Sequence, residues 1–457
     1  MKRNIKAVAF FHTYARDGEF GTFTKELIKG FEQSGIELHI FKVNDLVGQL
    51  KNKHYLHKNL EIYVINKILE INPDFIFTTN WAGITTRIIE KFSNIPRVTW
   101  MVDRMPFTHN GKKRSDAFDK NDILITSSTS NIAELESKYP YLKGNVYYLP
   151  FMTAPEYFKE KYEQDINISF IGSLFQNSSA IVNLLDKYND SELREGIFKY
   201  IKEVEKNYEV NIKNTLQICK IYDKVKSNME IETFHGVVAN IISNNKRIKV
   251  LDKIASLGLV FYGTKNWTSV IDYSTELFSK FQYETFVDTR EELSKIYNRS
   301  KISININHHQ ATTGQGYRVF DILASDSLLI TNYQENSDLE KIFGKNHPIP
   351  IYRNLDELYE LCQYYLTHEN ERKELVRKCN SLIGEKHTFK NRVKEIVGLA
   401  CKQDVEFNFD YVGSVKIDVP EAAFFDFNNF TLKSLLKLNY KILRQYIKKI
   451  ITRILRK

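Results

Sequence analysis

From residue 5 to residue 43 the chain reads IKAVAFFHTYARDGEFGTFTKELIKGFEQSGIELHIFKV, and this stretch sets the architecture. Ile5 to Phe11 is a near-continuous apolar run of strand length, and the polar turn from Tyr14 to Gly21 behind it carries two glycines, Gly18 and Gly21. Phe23, Leu27 and Phe31 then recur at i, i+4 and i+8, the spacing of one helix face. Ser34-Gly35 supplies a C-terminal stop before Ile36 to Val43 opens a second apolar run. Strand, helix, strand is a βαβ unit, which implies a parallel sheet covered on both faces.

The same rhythm continues outward. Strand-length runs recur at 75–77, 97–102, 123–125 and 146–149, each ending in a polar loop. Pro150 and Pro155 mark a change to a second series at 166–171, 257–262, 302–306, 328–331 and 349–352, with helical patterns between. The expectation is an α/β protein of two tandem Rossmann-like domains, 1–152 and 153–402, with the ligand in a cleft beyond the carboxyl ends of the strands. Residues from about 180 to 250 depart from the alternation: Ile197, Ile201, Val204 and Tyr208 keep helical spacing and no strand-like run follows until Leu257. They read as a helical insertion in the second domain, either a solvated accessory bundle or a substrate-specific lid.

With 42% apolar and 26% charged residues, 457 positions are enough for several folded cores and exclude disorder. The net charge of +9 is less informative than it looks, because it sits in one place. Between Thr431 and Lys457 every charged residue is basic: Lys433, Lys437, Lys441, Arg444, Lys448, Lys449, Arg453, Arg456 and Lys457. Residues 1–430 therefore sum to zero. Leu432, Leu435, Leu436, Leu443, Tyr446, Ile447, Ile450 and Ile454 give the same segment an apolar stripe, so 431–457 is expected to be a basic amphipathic helix after a 403–430 linker. Such a helix suits an anionic membrane surface; the competing reading packs its apolar stripe on the protein body. Nucleic acid is not expected, since aromatic residues are not interleaved with the basic stripe as a stacking platform requires. Four widely spaced cysteines predict neither a disulfide framework nor structural zinc. The apolar run behind Lys2, Arg3 and Lys6 is too short for a secretory segment, so the chain is expected to be cytoplasmic, peripheral at the inner face of the cell membrane.

The stretch from Lys301 to Thr331, KISININHHQATTGQGYRVFDILASDSLLIT, carries the densest chemistry. A strand ends at Asn305-Ile306-Asn307, a Thr/Gly/Gln loop including His308, Gln315 and Gly316 follows, and Tyr317 opens a helix with Arg318 and Asp321 in its first turns. A helix start offers unpaired N–H groups and a positive dipole end; with Arg318 it forms a candidate diphosphate clamp, and Asp321 could accept from ribose hydroxyls. An Arg and an Asp three apart are also the pattern of a surface ion pair. His308 and His309 are adjacent on extended chain, so at most one faces the site.

The string Gly316-Tyr317-Arg318-Val319-Phe320-Asp321-Ile322-Leu323-Ala324, followed by Leu328-Leu329-Ile330-Thr331, resembles the donor half of group 1 glycosyltransferases of the GT-B fold, in particular the subgroup named after the spore maturation protein CgeB. The likeness continues through Asn354–Glu357, Leu361–Leu366 and Glu385-Lys386-His387-Thr388-Phe389-Lys390-Asn391-Arg392. Ile168–Ser173 is similar to the strand and turn that open the family's second domain, and Leu259–Gly263 with Trp267 to its next strand. In the first domain only Thr99-Trp100-Met101-Val102-Asp103-Arg104-Met105-Pro106 matches.

The resemblance implies a nucleotide diphosphate sugar on the second domain, a glycan or glycolipid acceptor on the first, and no dedicated metal; the sequence holds no Asp-x-Asp. Fixed donors would then stabilise the leaving diphosphate: Arg318, the helix-start amides, the Gly172-Ser173 turn with Gly263 beside it, and the Gly18–Gly21 loop across the cleft. Asn305, His308, Gln315, Gly316 and Tyr317 complete the expected donor contacts. Retaining relatives carry two glutamates across this loop and helix; here those positions are Thr313 and Asp321, so retention is not implied. For inversion Asp103, at the end of an apolar strand, is the first choice of base, or else a turn cap before Pro106; His12 is the second, as base, phosphate contact or structural residue. A non-catalytic GT-B-like protein of a cell-envelope or spore-surface layer is the alternative to an enzyme.

Overall fold

The computed structural model describes residues 4–13, 18–50, 53–56, 58–104, 119–175, 179–285, 287–384, 386–401 and 412–418. Two fully parallel sheets form, as the two series of apolar runs predict. The first has seven strands in the order Ser414–Ile417, Glu37–Lys42, Lys6–Phe11, Phe75–Thr79, Arg97–Met101, Asp122–Thr126, Val146–Tyr148. The second has five: Leu259–Tyr262, Ile166–Ile171, Ser300–Asn305, Leu328–Asn332, Ile351–Tyr352. In each sheet the chain order reverses beside its first strand, between Lys6–Phe11 and Phe75–Thr79 and between Ile166–Ile171 and Ser300–Asn305. Those two crevices are where a doubly wound sheet opens to a ligand.

Burial explains the runs. Ala7, Ala9 and Phe11 face one apolar core while Val8 and Phe10 face another, so the strand is covered on both sides and tolerates no polar alternation. The insertion is the helical array that its periodicity implies: Ser179–Tyr188, Ser191–Lys206, Ile212–Ile218, Tyr222–Lys226 and Ile231–Lys253, with its own core around Tyr200, Leu216 and Phe234.

Two boundaries differ from the sequence reading. Helix Phe389–Ala400, assigned to the second domain, crosses back to the first and buries Phe389, Val393, Ile396 and Val397 against helix Thr22–Gln33 and its sheet. Each such side chain contributes on the order of 2 kcal/mol, enough to fix the crossing. Residues 414–417, expected inside a linker, extend the first sheet as an edge strand in register with Glu37–Ile40. Asp418 secures it by accepting from His39 at 3.0 Å. The expected helix 431–457 lies outside the described residues. Among the described residues no helix is long and apolar enough to cross a membrane.

Candidate active site

Two turns of the second domain form the floor of the cleft. A Cβ on Gly263 would fall 2.3 Å from the Gly172 carbonyl oxygen, and one on Gly172 2.7 Å from the Phe170 ring and 3.0 Å from the Arg318 guanidinium. Both positions thus require glycine for close approach. The Trp267 indole donates to the same Gly172 carbonyl at 2.7 Å, and Ser173 Oγ accepts from the Thr264 amide at 3.3 Å.

Above this floor the cleft holds two adjoining lobes, inner at the Asp103 end and outer at the Arg290 end, the outer being the more enclosed. The inner one, about 380 Å³, runs between Asp103, Asn131 and the 305–316 loop. The outer one, about 530 Å³, is walled by Gly21, Gly172, Ser173, Gly263 and Arg290. Phe23, Arg247, Tyr317 and Arg318 line both and mark their junction. Gly316 caps helix Tyr317–Ala324, at a position where a Cβ would meet nothing within 4 Å. Tyr317 is 45% exposed at the junction, against Phe23 and Phe151.

Arg318 lies over the Phe170 ring at 5.3 Å and donates to Asn305 Oδ1 at 3.5 Å. Facing the same space is Arg247, from the last helix of the insertion, which the sequence reading missed. It is 4% exposed, donates through Nη1 to the Ser173 carbonyl, and sits over the Phe175 ring at 4.6 Å. Burial, with the positive charge of Arg318 adding, pushes its pKa down to about 9. Neither guanidinium has a carboxylate partner among the described residues. Two neighbouring cations that no carboxylate contacts, with Asp321 acting on Arg318 only at longer range, make an anion site in the half-enclosed cleft.

Asp103 is placed as expected, at the end of strand Arg97–Met101 and on the inner lobe. Its Oδ2 accepts from the Asn80 side chain at 2.8 Å, and its backbone N–H donates to Asn80 Oδ1 at 3.1 Å. Gln310, from the other domain, reaches Oδ1 at 3.5 Å. Burial raises the Asp103 pKa above the ordinary aspartate value, against these hydrogen bonds. Asn80 and Trp81 both hold left-handed φ, 50° and 59°, so strain is stored at the turn that grips this carboxylate.

Other expected residues are placed differently. Asp321 borders the outer lobe but is 0% exposed; its Oδ1 accepts from Thr153 at 2.6 Å and from Arg290 at 2.7 Å, and its Oδ2 has no partner among the described residues. A helix-start position gives nearness to phosphate, but not depth. His12 is exposed, bonds Asn44 at 3.2 Å and lines neither lobe. Asn44 also brackets Thr13, drawing this turn toward the second strand and away from the cleft. Gly18 likewise lines neither lobe; its carbonyl accepts from Lys42 at 3.1 Å. Asn305 and Gln315 line the inner lobe, but their amides brace the loop, Asn305 against Asn307 and Thr331, Gln315 against Gln334 and Ser337. Only His308 of the pair faces the cavity, its ring between Asn240 and the Gln310 amide; burial, with Arg247 adding, pushes its pKa down to about 3, so it is neutral. His309 is turned into the insertion, on the Val204 carbonyl. Thr313 bonds Ser128 at 2.8 Å across the domain boundary and donates to Asp338 at 3.1 Å within its own domain.

With this geometry in hand, comparison with known proteins is specific. Residues 246–398 match a family described as glycosyl transferase-like, a segment that opens at Lys246-Arg247 and includes Arg290, Tyr317 and Arg318 of the cleft. A search of curated proteins finds no match. Solved structures share the fold over most of their length. A glycosyltransferase from Rickettsia africae ESF-5 aligns at 10% identity and TM-score 0.51, over 88% of this chain and 98% of its own. Sucrose-phosphate synthase from Thermosynechococcus elongatus aligns at 9% and 0.52, over 86% and 98%. HepE of Anabaena, in complex with UDP and glucose, aligns at 6% and 0.51, over 86% and 100%. The fold is therefore defined: two Rossmann-like domains in the GT-B arrangement seen in these structures, with residues 246–398 similar to glycosyl transferase-like proteins.

Proposed function

We propose that the protein transfers a sugar from a nucleotide diphosphate sugar to a hydroxyl of a glycan or glycolipid, in the synthesis of a cell-envelope polysaccharide or glycoconjugate, as a CgeB-like member of the GT-B glycosyltransferases. The observation that carries this reading is the pair Arg247 and Arg318, converging without carboxylate partners at the junction of the two lobes. The linkage of such a donor has one negative charge on each phosphate, which matches the pair. When the bond between the sugar C1 and the diphosphate oxygen breaks, charge builds on that oxygen, and fixed guanidinium donors stabilise it without rearrangement. They do so with no dedicated metal in the proposal.

The acceptor hydroxyl enters from the inner lobe, gives its proton to Asp103 and forms the new C1–O bond as the nucleoside diphosphate leaves, with inversion. Thr313, where retaining relatives carry an acid, supports that direct displacement. The test is release of nucleoside diphosphate from UDP- and GDP-sugars by the purified protein. Slow release in the wild type, abolished in Asp103→Asn and Arg318→Ala, is the expected result. Tight binding with no release over days would favour the non-catalytic envelope protein, a reading to which the same Thr313 gives some support.

The body is proposed to work in the cytoplasm, held at the inner membrane face by residues 431–457.

A further inference from the structure

The order of side chains along the cleft gives a bound donor a direction. Arg247 and Arg318 line both lobes, Asp103 only the inner, Arg290 only the outer. With the diphosphate at the junction and the sugar toward Asp103, the nucleoside occupies the outer lobe against Arg290. This orientation rests on the function proposed above.

Arg290 is the first residue of helix Arg290–Arg299, whose start is fixed by a reciprocal capping box between Thr289 and Glu292. Its side chain is 3% exposed, its Nη1 donates to Asp321, and its guanidinium lies 5.7 Å from the centre of the Phe389 ring. Its Nε has no partner among the described residues. Asp321 borders the same lobe but is fully buried: Oδ1 is taken by Thr153 and Arg290, and Oδ2 has no partner among the described residues. A ribose hydroxyl could meet this carboxylate without displacing a donor only at Oδ2, which is buried in this structure.

We propose that Arg290 is a specificity-determining residue that reads a carbonyl oxygen of the donor's nucleobase, and that Asp321 and Thr153 are positioning residues that hold its guanidinium. A guanidinium has donors only, so it needs an acceptor in its plane. Uracil and guanine present carbonyl oxygens, and guanine also N7 beside O6; adenine has no carbonyl and offers an amino group at the matching place. A base that leaves the buried donor unanswered is rejected at the energetic cost of that unpaired group.

The experiment is calorimetric titration of the full-length protein with UDP, GDP, ADP and the 2′-deoxy forms of UDP and GDP. The better of UDP and GDP should bind about tenfold or more tightly than ADP, and loss of the 2′-hydroxyl should change affinity by less than about threefold. Arg290→Lys, which keeps the charge but loses the planar fork, should bring ADP level with the others. Because that change can disturb folding, Thr153→Val serves as the second variant: it leaves the ion pair in place and should narrow the base preference while the thermal midpoint stays within a few degrees. Equal binding of ADP by the wild type would overturn the inference. So would strong dependence on the 2′-hydroxyl without base preference, which would return the contact to ribose. No binding of any nucleotide would overturn the proposed function and this assignment with it.

Discussion

The charge of Asp103, on which its proposed role as base depends, is set by opposing influences. Burial raises its pKa, while the bonds from Asn80 and Gln310 favour the charged form and lower it. A base must be ionised, so activity is lost as pH falls through the folded value, and that acid limb lies above the ordinary aspartate value of about 3.9. Asn80→Ala removes a bond that lowers the pKa, so the limb should move to higher pH in a rate profile; an unmoved limb would contradict the role given to Asn80. Asp103→Asn should reduce turnover by about a hundredfold or more at all pH values. Legibility at this scale follows physics. Asp103, Arg318 and the two close-approach glycines could be read because strand ends and Gly turns leave marks in sequence. Asn80 could not, because a left-handed backbone at a non-glycine residue leaves none. The place of Asp321 beside the cleft is legible from its helix position, but its burial and its pairing with Arg290 are not.

The insertion and the edge strand are the elements whose roles the sequence hid. Helix Ile231–Lys253 shows helical spacing, yet only packing reveals that Arg247 on it faces the cleft while Phe234 and Val238 face the insertion core. The central strands were legible because covering on both faces demands unbroken apolar runs. Ser414–Ile417 was not, because an exposed edge imposes no such demand. It docks through Gly413, where a Cβ would fall 2.1 Å from the Ile36 carbonyl oxygen. Gly413→Ala should therefore undock this strand alone. In hydrogen exchange the Ser414 and Asp418 amides, which donate to Ile36 and Ile40, should lose protection by about tenfold or more, with the strand Glu37–Lys42 otherwise unchanged. Retained protection would contradict the docking.

As a whole the molecule is two sheets clasped around a cleft. Thr129 and Thr313 donate to Asp338, the Gly314 amide donates to Ser128 Oγ at 3.1 Å, and Thr22 Oγ1 donates to the Asp288 carbonyl at 2.8 Å, all but one of these across the domain boundary. At the far side Arg104 of the first domain stacks on Tyr208 of the insertion at 4.5 Å. The neutral body and the concentrated charge of 431–457 divide the labour proposed for them, catalysis and attachment. In flotation with anionic liposomes the full chain should rise with the vesicles and a chain lacking 431–457 should not, with the difference shrinking in high salt. Equal flotation of the two would remove the attachment claim. The central claim, that Arg247 and Arg318 together hold a nucleotide diphosphate, is tested most directly by a double-mutant cycle in nucleoside diphosphate binding. Each single change to Ala should weaken binding by about tenfold to a hundredfold, and the double change should cost less than the two combined, because both grip the same group. Wild-type affinity in either single variant would contradict it.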